Sequence, residues 1–239
     1  MVAGTVLELH RWPVKSFAGE PVGALRIDRR GAGGDRAHAL LATRGGEDLR
    51  LTVREAPRML GWRASYPDAP GEELDPDDPP LPLVTGPDGR AYRWDDPALA
   101  RALSDDLGRT VRLRRDLALM PDLPDSLLVT VEASRRALGD ELGADLDLRR
   151  FRPNIHVRLD ARAFAEQGWE GRRLRVGEAE LELLHPCERC VIPTRDPNTH
   201  RKWPQLLRRL ARDHDTMFGI NARAAVPATV RVGDAVELH

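Results

Sequence analysis

Cysteine is nearly missing from this 239-residue chain, which holds only Cys187 and Cys190. Two thiols exclude a disulfide framework and the four-cysteine sets of iron–sulfur proteins. Lysine is as scarce: of 37 basic side chains only Lys15 and Lys202 are not arginine. A GC-rich genome or selection for heat produces such a bias, yet each surviving lysine then asks for a reason. Excess charge is absent too. With a formal net charge of −1, no global positive field exists to hold a nucleic acid or an anionic membrane. No apolar run approaches the roughly 20 residues of a spanning helix. The opening MVAGTVLELHRW lacks the basic start and long apolar stretch of a secretory signal. A cytoplasmic protein with neither nucleic acid nor membrane as its main partner is expected.

What is present suits a folded protein: hydrophobic residues make up 41% and charged residues 31%. The length fits one large domain or two small ones. TVLELHRWPVKS alternates like a strand ending at Pro13, VGALRIDRRGAGGDRAHALLA reads as two strands around a glycine-rich turn, and DLRLTVREAPRMLGWRASY continues in short strands. Residues 67–89 carry too many prolines, glycines and acids for regular structure, and an exposed loop with one edge strand is expected. DDPALARALSDDLG offers Asp96 as cap, Pro97 in the first turn, leucines at helical spacing and Gly108 as stop. After VRLRRD and the proline-interrupted MPDLPDS, a strand passes into a helix over Glu132 to Leu142. A hairpin turning at Gly177-Glu178 resembles the terminal VRVGDAVEL, and WPQLLRRLARDHDTMFG predicts a helix of about four turns stopping at Gly219. Many short strands with three helices and no regular βαβ alternation predict a mainly β (α+β) protein of two β-barrel-like domains, residues 1–115 and 116–239.

Both cysteines lie in HPCERCVIPTRDPNTH, residues 185–200. Cys187-Glu188-Arg189-Cys190 has the spacing of a redox pair, but that chemistry wants the thiol at a helix start, and here a strand precedes and prolines follow. His185, Cys187, Cys190 and His200 could hold zinc, although the spacing matches no familiar zinc module. One cysteine could act alone as a thiolate, nucleophile or soft-metal ligand, with Arg189 and Arg195 favouring the charged form. Both could equally be small buried hydrophobes.

Three fragments in order, LHRWPVKS, FRPNI and ERCVIPTRDPNT, together with VEAS before a helix and the final VGD turn, resemble the MOSC family. The resemblance covers nearly the whole chain. It points to two-domain members with a MOSC N-terminal β-barrel, the group that includes the mitochondrial amidoxime-reducing component and bacterial hydroxylaminopurine reductases, and it implies a pyruvate-kinase-like β-barrel for the C-terminal domain.

The resemblance further implies a molybdenum cofactor, a metal dithiolene on a phosphorylated pterin (molybdopterin), with Cys190 as the metal ligand and catalytic residue. Carried over motif by motif, the cofactor-binding set is Lys15 and Ser16 from PVKS, Arg36 from GDR, Thr52 and Arg54 from LTVREAPRML, Arg152 and Asn154 from FRPNI, and Arg189 beside the cysteine. The chemistry agrees: guanidinium forks grip phosphate, lysine adds a point charge, and an asparagine offers donor and acceptor together to a pterin edge. The implied activity is reduction of small N-hydroxylated compounds, with electrons from a separate reductase or ferredoxin-like protein, since no flavin, haem or iron–sulfur motif is present. The alternative is a non-catalytic cofactor binder, or a sulfur carrier holding a persulfide on Cys190 and served by a pyridoxal-phosphate-dependent partner. Two positions depart from the family. His200 stands where a glycine is common, and Phe17 where some members have cysteine.

Overall fold

The computed structural model describes residues 2–69, 74–117 and 127–239. Its strands are β1 (Val2–Arg11), β2 (Glu20–Val22), β3 (Ala24–Asp28), β4 (Gly31–Ala32), β5 (His38–Arg44), β6 (Glu47–Arg50), β7 (Arg63–Ser65), β8 (Leu83–Thr85), β9 (Ala91–Arg93) and β10 (Arg112–Arg115). They continue with β11 (Leu127–Val131), β12 (Ile155–Leu159), β13 (Arg173–Val176), β14 (Ala179–Glu188), β15 (Met217–Val226), β16 (Ala228–Arg231) and β17 (Ala235–Leu238). The helices are α1 (Pro97–Leu107), α2 (Glu132–Leu142) and α3 (Pro204–Asp213). The protein is thus mainly β, as its short alternating runs predict.

Seven strands close a barrel in the order β12-β11-β15-β14-β13-β17-β1, and β1 returns to β12. Alternation makes its inside: Ala179, Leu181 and Leu183 of β14 point inward while Glu180 and Glu182 remain at the surface. β11 is buried at every residue, LLVTV, because the parallel β11–β12 pair is joined through α2, which packs over it. β1 pairs with β12 from Gly4↔Leu159 to Leu9↔Ile155 and with β17 from Val2↔Leu238 to Thr5↔Ala235. Gly4 permits that seam, since a Cβ there would run into the carbonyl of Arg158. Leu25 and Ile27 of β3 share the barrel's core with Val6, Leu181 and Ile220, so the segment up to Ala32 packs with the C-terminal half of the chain.

A second core gathers Phe17, Leu40, Met59, Trp62, Leu99 and Leu103 between the sheets β10-β5-β6 and β7-β8-β9 and helix α1. The helix follows its sequence signals: Asp96 accepts from the Ala98 N–H at 2.8 Å, and Gly108 ends it at φ 64°. Next to that core His38 is wholly buried, and among the described residues its Nε2 has no hydrogen-bond partner. Burial pushes its pKa down from 6.5 to about 3, and Arg115 adds to the effect. Between those two values the unfolded chain binds the extra proton, so stability is fully present above pH 6.5 and falls with pH through that window. The slope from this group is at most about 1.4 kcal/mol per pH unit. His38→Leu is therefore expected to reduce the drop in urea midpoint between about pH 7 and pH 5; an unchanged drop would place the acid sensitivity elsewhere.

Four expectations change. β8, from the proline-rich stretch, is the middle strand of its sheet and not an edge, with Val84 fully buried between its cross-strand partners Ala64 and Tyr92. Residues 70–73 of that stretch, and MPDLPDS with its surroundings at 118–126, lie outside the described residues. Residues 51–62 form no strand but a loop with a 3-10 turn at Pro57–Gly61. Helix α3 stops at Asp213 and not at Gly219: Asp215 and Thr216 take left-handed backbones, φ 50° and 65°, and Phe218 joins the core from β15. Gly219 sits in that strand at φ 77°, where a Cβ would stand 2.8 Å from the Val129 carbonyl. The terminal VGD turn does not close a ladder, since β16 pairs with β3 while β17 pairs with β13 and β1.

Candidate functional site

The PVKS segment leaves β1 through Trp12, which ties three distant stretches together. Its N–H donates to Asp35 Oδ1 at 2.7 Å, its carbonyl accepts from the Arg36 N–H at 2.7 Å, and its indole Nε1 donates to the Pro153 carbonyl at 2.9 Å. Arg36 pairs with the buried Asp35 at 2.5 Å and reaches the Arg152 carbonyl at 3.3 Å. Arg152 in turn donates to the Phe17 carbonyl at 2.5 Å, its guanidinium 4.3 Å above the Trp12 ring. Ser16, Arg36 and Arg152 all have left-handed backbones, at φ 70°, 49° and 56°. That conformation is costly for residues with a Cβ, and it persists where the surroundings over-determine it, commonly at functional sites. His200, φ 59°, adds a fourth in the segment after the cysteines.

The cysteine loop attaches to the same place through Arg189, which donates from Nη2 to the Phe151 carbonyl at 2.7 Å and from Nη1 to Cys187 Sγ at 3.0 Å. Among the described residues its buried Nε has no partner. Both cysteines are free thiols at half-buried positions. Beyond Cys190 a tight turn, Ile192–Thr194, leads to an antiparallel bridge between Arg195 and Lys202 that closes the loop. Within it Asp196 accepts from the Thr199 N–H at 2.8 Å and from Arg150 at 2.8 Å; the Thr199 N–H is the main reason its carboxyl lies below the usual range.

Between these segments lies a cleft of about 60 Å³ lined by Trp12 and by five arginines: Arg63, Arg149, Arg150, Arg152 and Arg195. Among the described residues no carboxylate lines it. Arg149 and Arg150 are steadied from behind by Asp147 and Asp196. Such a cleft concentrates anions and presents forked donors to them, with a soft thiol on the adjoining loop.

Of the residues expected from the sequence, Arg36 and Arg152 converge on Trp12, Ser16 four residues on accepts at Oγ from the Val53 N–H at 3.3 Å, and Arg189 ties the cysteine loop to Phe151. Lys15 is anchored through its backbone to His38, N–H to carbonyl at 2.8 Å. Asn154 is a strut: its amide donates to the His10 carbonyl at 3.3 Å and accepts from the Leu128 N–H at 3.2 Å, fully buried. Thr52 spends its N–H and hydroxyl on Glu55, at 2.9 and 3.0 Å, and Arg54 is exposed on a neighbouring groove. The sequence reading missed Trp12, Arg63, Arg149 and Arg150. The Arg149-Arg150 pair directly before FRPN was the available signal, masked by the abundance of arginine.

The rival readings of the cysteines lack their geometry. Among the described residues no three of His, Cys, Asp and Glu gather to hold a metal. The His200 ring packs by Gly61, while His185 meets Asn221 at 3.3 Å. No α-helix starts at the CxxC pair, so no helix dipole acts on it. A third constellation has nucleophile–base–acid order, with Thr130 2.9 Å from His156 and His156 3.0 Å from Glu132. It is sealed in the interior and reads as a buried polar network between β11, β12 and α2. Among the described residues no helix is long and apolar enough to cross a membrane.

Residues 3–80 match the family model described as MOSC N-terminal beta barrel domain, and residues 123–237 match that of the MOSC domain. Mitochondrial amidoxime-reducing component 1 of Danio rerio is 40% identical over 84 residues, 35% of this chain and 25% of its own length. Mitochondrial amidoxime reducing component 2 of Macaca fascicularis is 27% identical across 98% of this chain and 83% of its own. The chain thus matches only a quarter of the first relative and most of the second. The crystal structure of the YUAD protein from Bacillus subtilis superposes with a TM-score of 0.50 at 15% identity, covering 100% of this chain and 96% of that one, a likeness of fold alone.

Proposed function

Because the chain belongs to the MOSC-domain proteins that carry a MOSC N-terminal β-barrel domain, we propose that it binds a molybdenum cofactor and reduces small N-hydroxylated compounds, with Cys190 as the ligand to the metal. One observation carries this reading: three sequence-distant segments meet at Trp12 in left-handed conformations, beside an arginine-lined cleft that runs into the cysteine loop. The donor set fits the cofactor, with guanidinium groups for its phosphate, the buried unpartnered Nε of Arg189, and a thiol for a soft metal.

When bound, the cofactor supplies the two-electron chemistry at the N–O bond. The protein's own residues do the rest. Arg152, pinned between the Trp12 ring and the Phe17 carbonyl, presents a charge that cannot swing away. Arg36 is held by Asp35 and fixes the backbone of Arg152. Arg189, bridging Phe151 and Cys187, sets where the backbone of Cys190 leaves β14. Electrons come from a separate reductase or ferredoxin-like protein, and the two free thiols suit a reducing compartment such as the cytoplasm.

Protein expressed with intact molybdenum-cofactor synthesis is expected to carry molybdenum and pterin near one per chain and to reduce an N-hydroxylated purine with benzyl viologen as donor. One tightly held zinc and no pterin would overturn the reading.

A further inference from the structure

Next to the arginine cleft a second, larger groove opens, with a volume of about 600 Å³, the size of a small-molecule site. The two cavities share Arg195, and the groove begins at Val191, the residue after Cys190. One wall is a face of α3. Leu206 and Leu210 turn into the core with Phe218, while Pro204, Leu207, Arg208 and Ala211, spaced along one side of the helix, line the groove. The opposite wall is Val53, Arg54 and Pro57 of the loop after β6, fastened by the Val53 N–H to Ser16 Oγ at 3.3 Å. Val191 is 46% exposed and lies on this floor.

The rim is cationic and unopposed. Arg54, Arg195, Lys202 and Arg208 line the groove and no carboxylate does. Among the described residues none of the four has a carboxylate partner; Arg195 reaches only the His200 carbonyl, at 3.3 Å. In a chain with 38 acidic residues, an apolar floor ringed by four cations without one acid is a matched surface for an apolar body bearing negative charge. It also gives the second surviving lysine a place.

We infer that this groove is the substrate's subsite, holding the non-reacting part of an N-hydroxylated substrate that is aromatic or otherwise apolar and carries an anionic group, carboxylate or phosphate. The inference rests on the reductase reading above. The floor takes the apolar body, the cations take the anion, and the N-hydroxyl end is left toward the cysteine loop.

Binding and turnover are measured separately. By calorimetry, 2-naphthoate is expected to bind the holoprotein at least about tenfold more tightly than neutral 2-naphthamide, with the preference shrinking at high salt. The Lys202→Ala/Arg208→Ala double variant is expected to lose that preference, whereas Arg101→Ala, exposed on helix α1 and outside the groove's lining, keeps it. In turnover, 4-carboxybenzamidoxime is expected to exceed benzamidoxime in kcat/KM through KM, and the double variant to erase the difference. Equal binding of the two probes with equal turnover of the two amidoximes would overturn the inference and leave the reductase reading standing. Naphthoate binding without reduction of either amidoxime would overturn the substrate assignment through the reading beneath it. Binding of neither probe would also overturn it, and would point to an acidic protein as occupant of the rim.

Discussion

Cys190→Ser is expected to abolish benzyl viologen-driven reduction of an N-hydroxylated purine, while Cys187→Ser keeps most of it. The two thiols are three residues apart and equally half-buried, so exposure does not separate them. Their attachments do. Cys187 Sγ accepts from Arg189 Nη1, and Arg189 keeps its bond to the Phe151 carbonyl, at 2.7 Å, if that sulfur becomes a hydroxyl. The loop therefore stays anchored in Cys187→Ser. Cys190 follows that anchor directly, with only Val191 between it and the turn at Ile192–Thr194, and in the proposed role its thiolate faces the metal. A serine hydroxyl is poorly ionised and hard, a far worse partner for such a metal. The loss should exceed the roughly 10–100-fold that accompanies removal of a group behind a metal ligand. Residual pterin in the inactive variant is expected, since phosphate contacts lie elsewhere. Equal loss in the two variants would return the pair to dithiol chemistry; full activity in Cys190→Ser would remove the thiolate from the mechanism.

Arg152→Ala is expected to cut cofactor retention by about ten- to hundredfold, the effect of a charge-assisted contact of roughly 1.5–3 kcal/mol. The side chain is 7% exposed, and its backbone is left-handed at φ 56°. Alanine would therefore combine two effects, a lost guanidinium and a remaining backbone cost. Arg152→Gly separates them, because glycine adopts that φ without strain. If the guanidinium grips the cofactor, pterin content falls alike in both variants while the glycine protein melts closer to the parent. Pterin at the parent level in Arg152→Gly would make Arg152 a purely architectural residue, a staple between Trp12 and Phe17.

The elements legible in the sequence were those whose signals are local. Asp96, Pro97 and Gly108 bound α1 by capping chemistry, and Ala179 to Leu183 alternate as a half-buried strand must. What escaped depended on partners far along the chain. The burial of Val84 makes a strand of three residues inside a proline-rich stretch, and the left-handed Asp215 and Thr216 end α3 before Phe218, which the helical spacing had placed on the same face as the leucines. The candidate site divides in the same way. Lys15, Arg36, Arg152, Asn154 and Cys190 were named from motifs, and the hydrogen bonds of Asn154 to the backbones of β1 and β11 emerged only with the fold. Arg63, Arg149 and Arg150 were invisible among so many arginines, since only position in space distinguishes a cleft arginine from a surface one.

The seam at Gly4 has a consequence for how the molecule comes into being. During synthesis β1 leaves the ribosome long before β12 and β17, its partners on either side. The barrel therefore cannot close as the chain emerges: its opening strand can pair early only with the short β2, from Leu9↔Val22 to Arg11↔Glu20, and the rest of its length must wait until the closing strands exist. Pairing across so long a separation is slow, because the intervening chain must be ordered or looped out first. A cut between residues 115 and 116 would strand β1 on the wrong fragment. The N-terminal half is thus tied to the C-terminal half twice, by the ladders of β1 and by the packing and pairing of β3, and neither tie can form before the last strands of the chain exist.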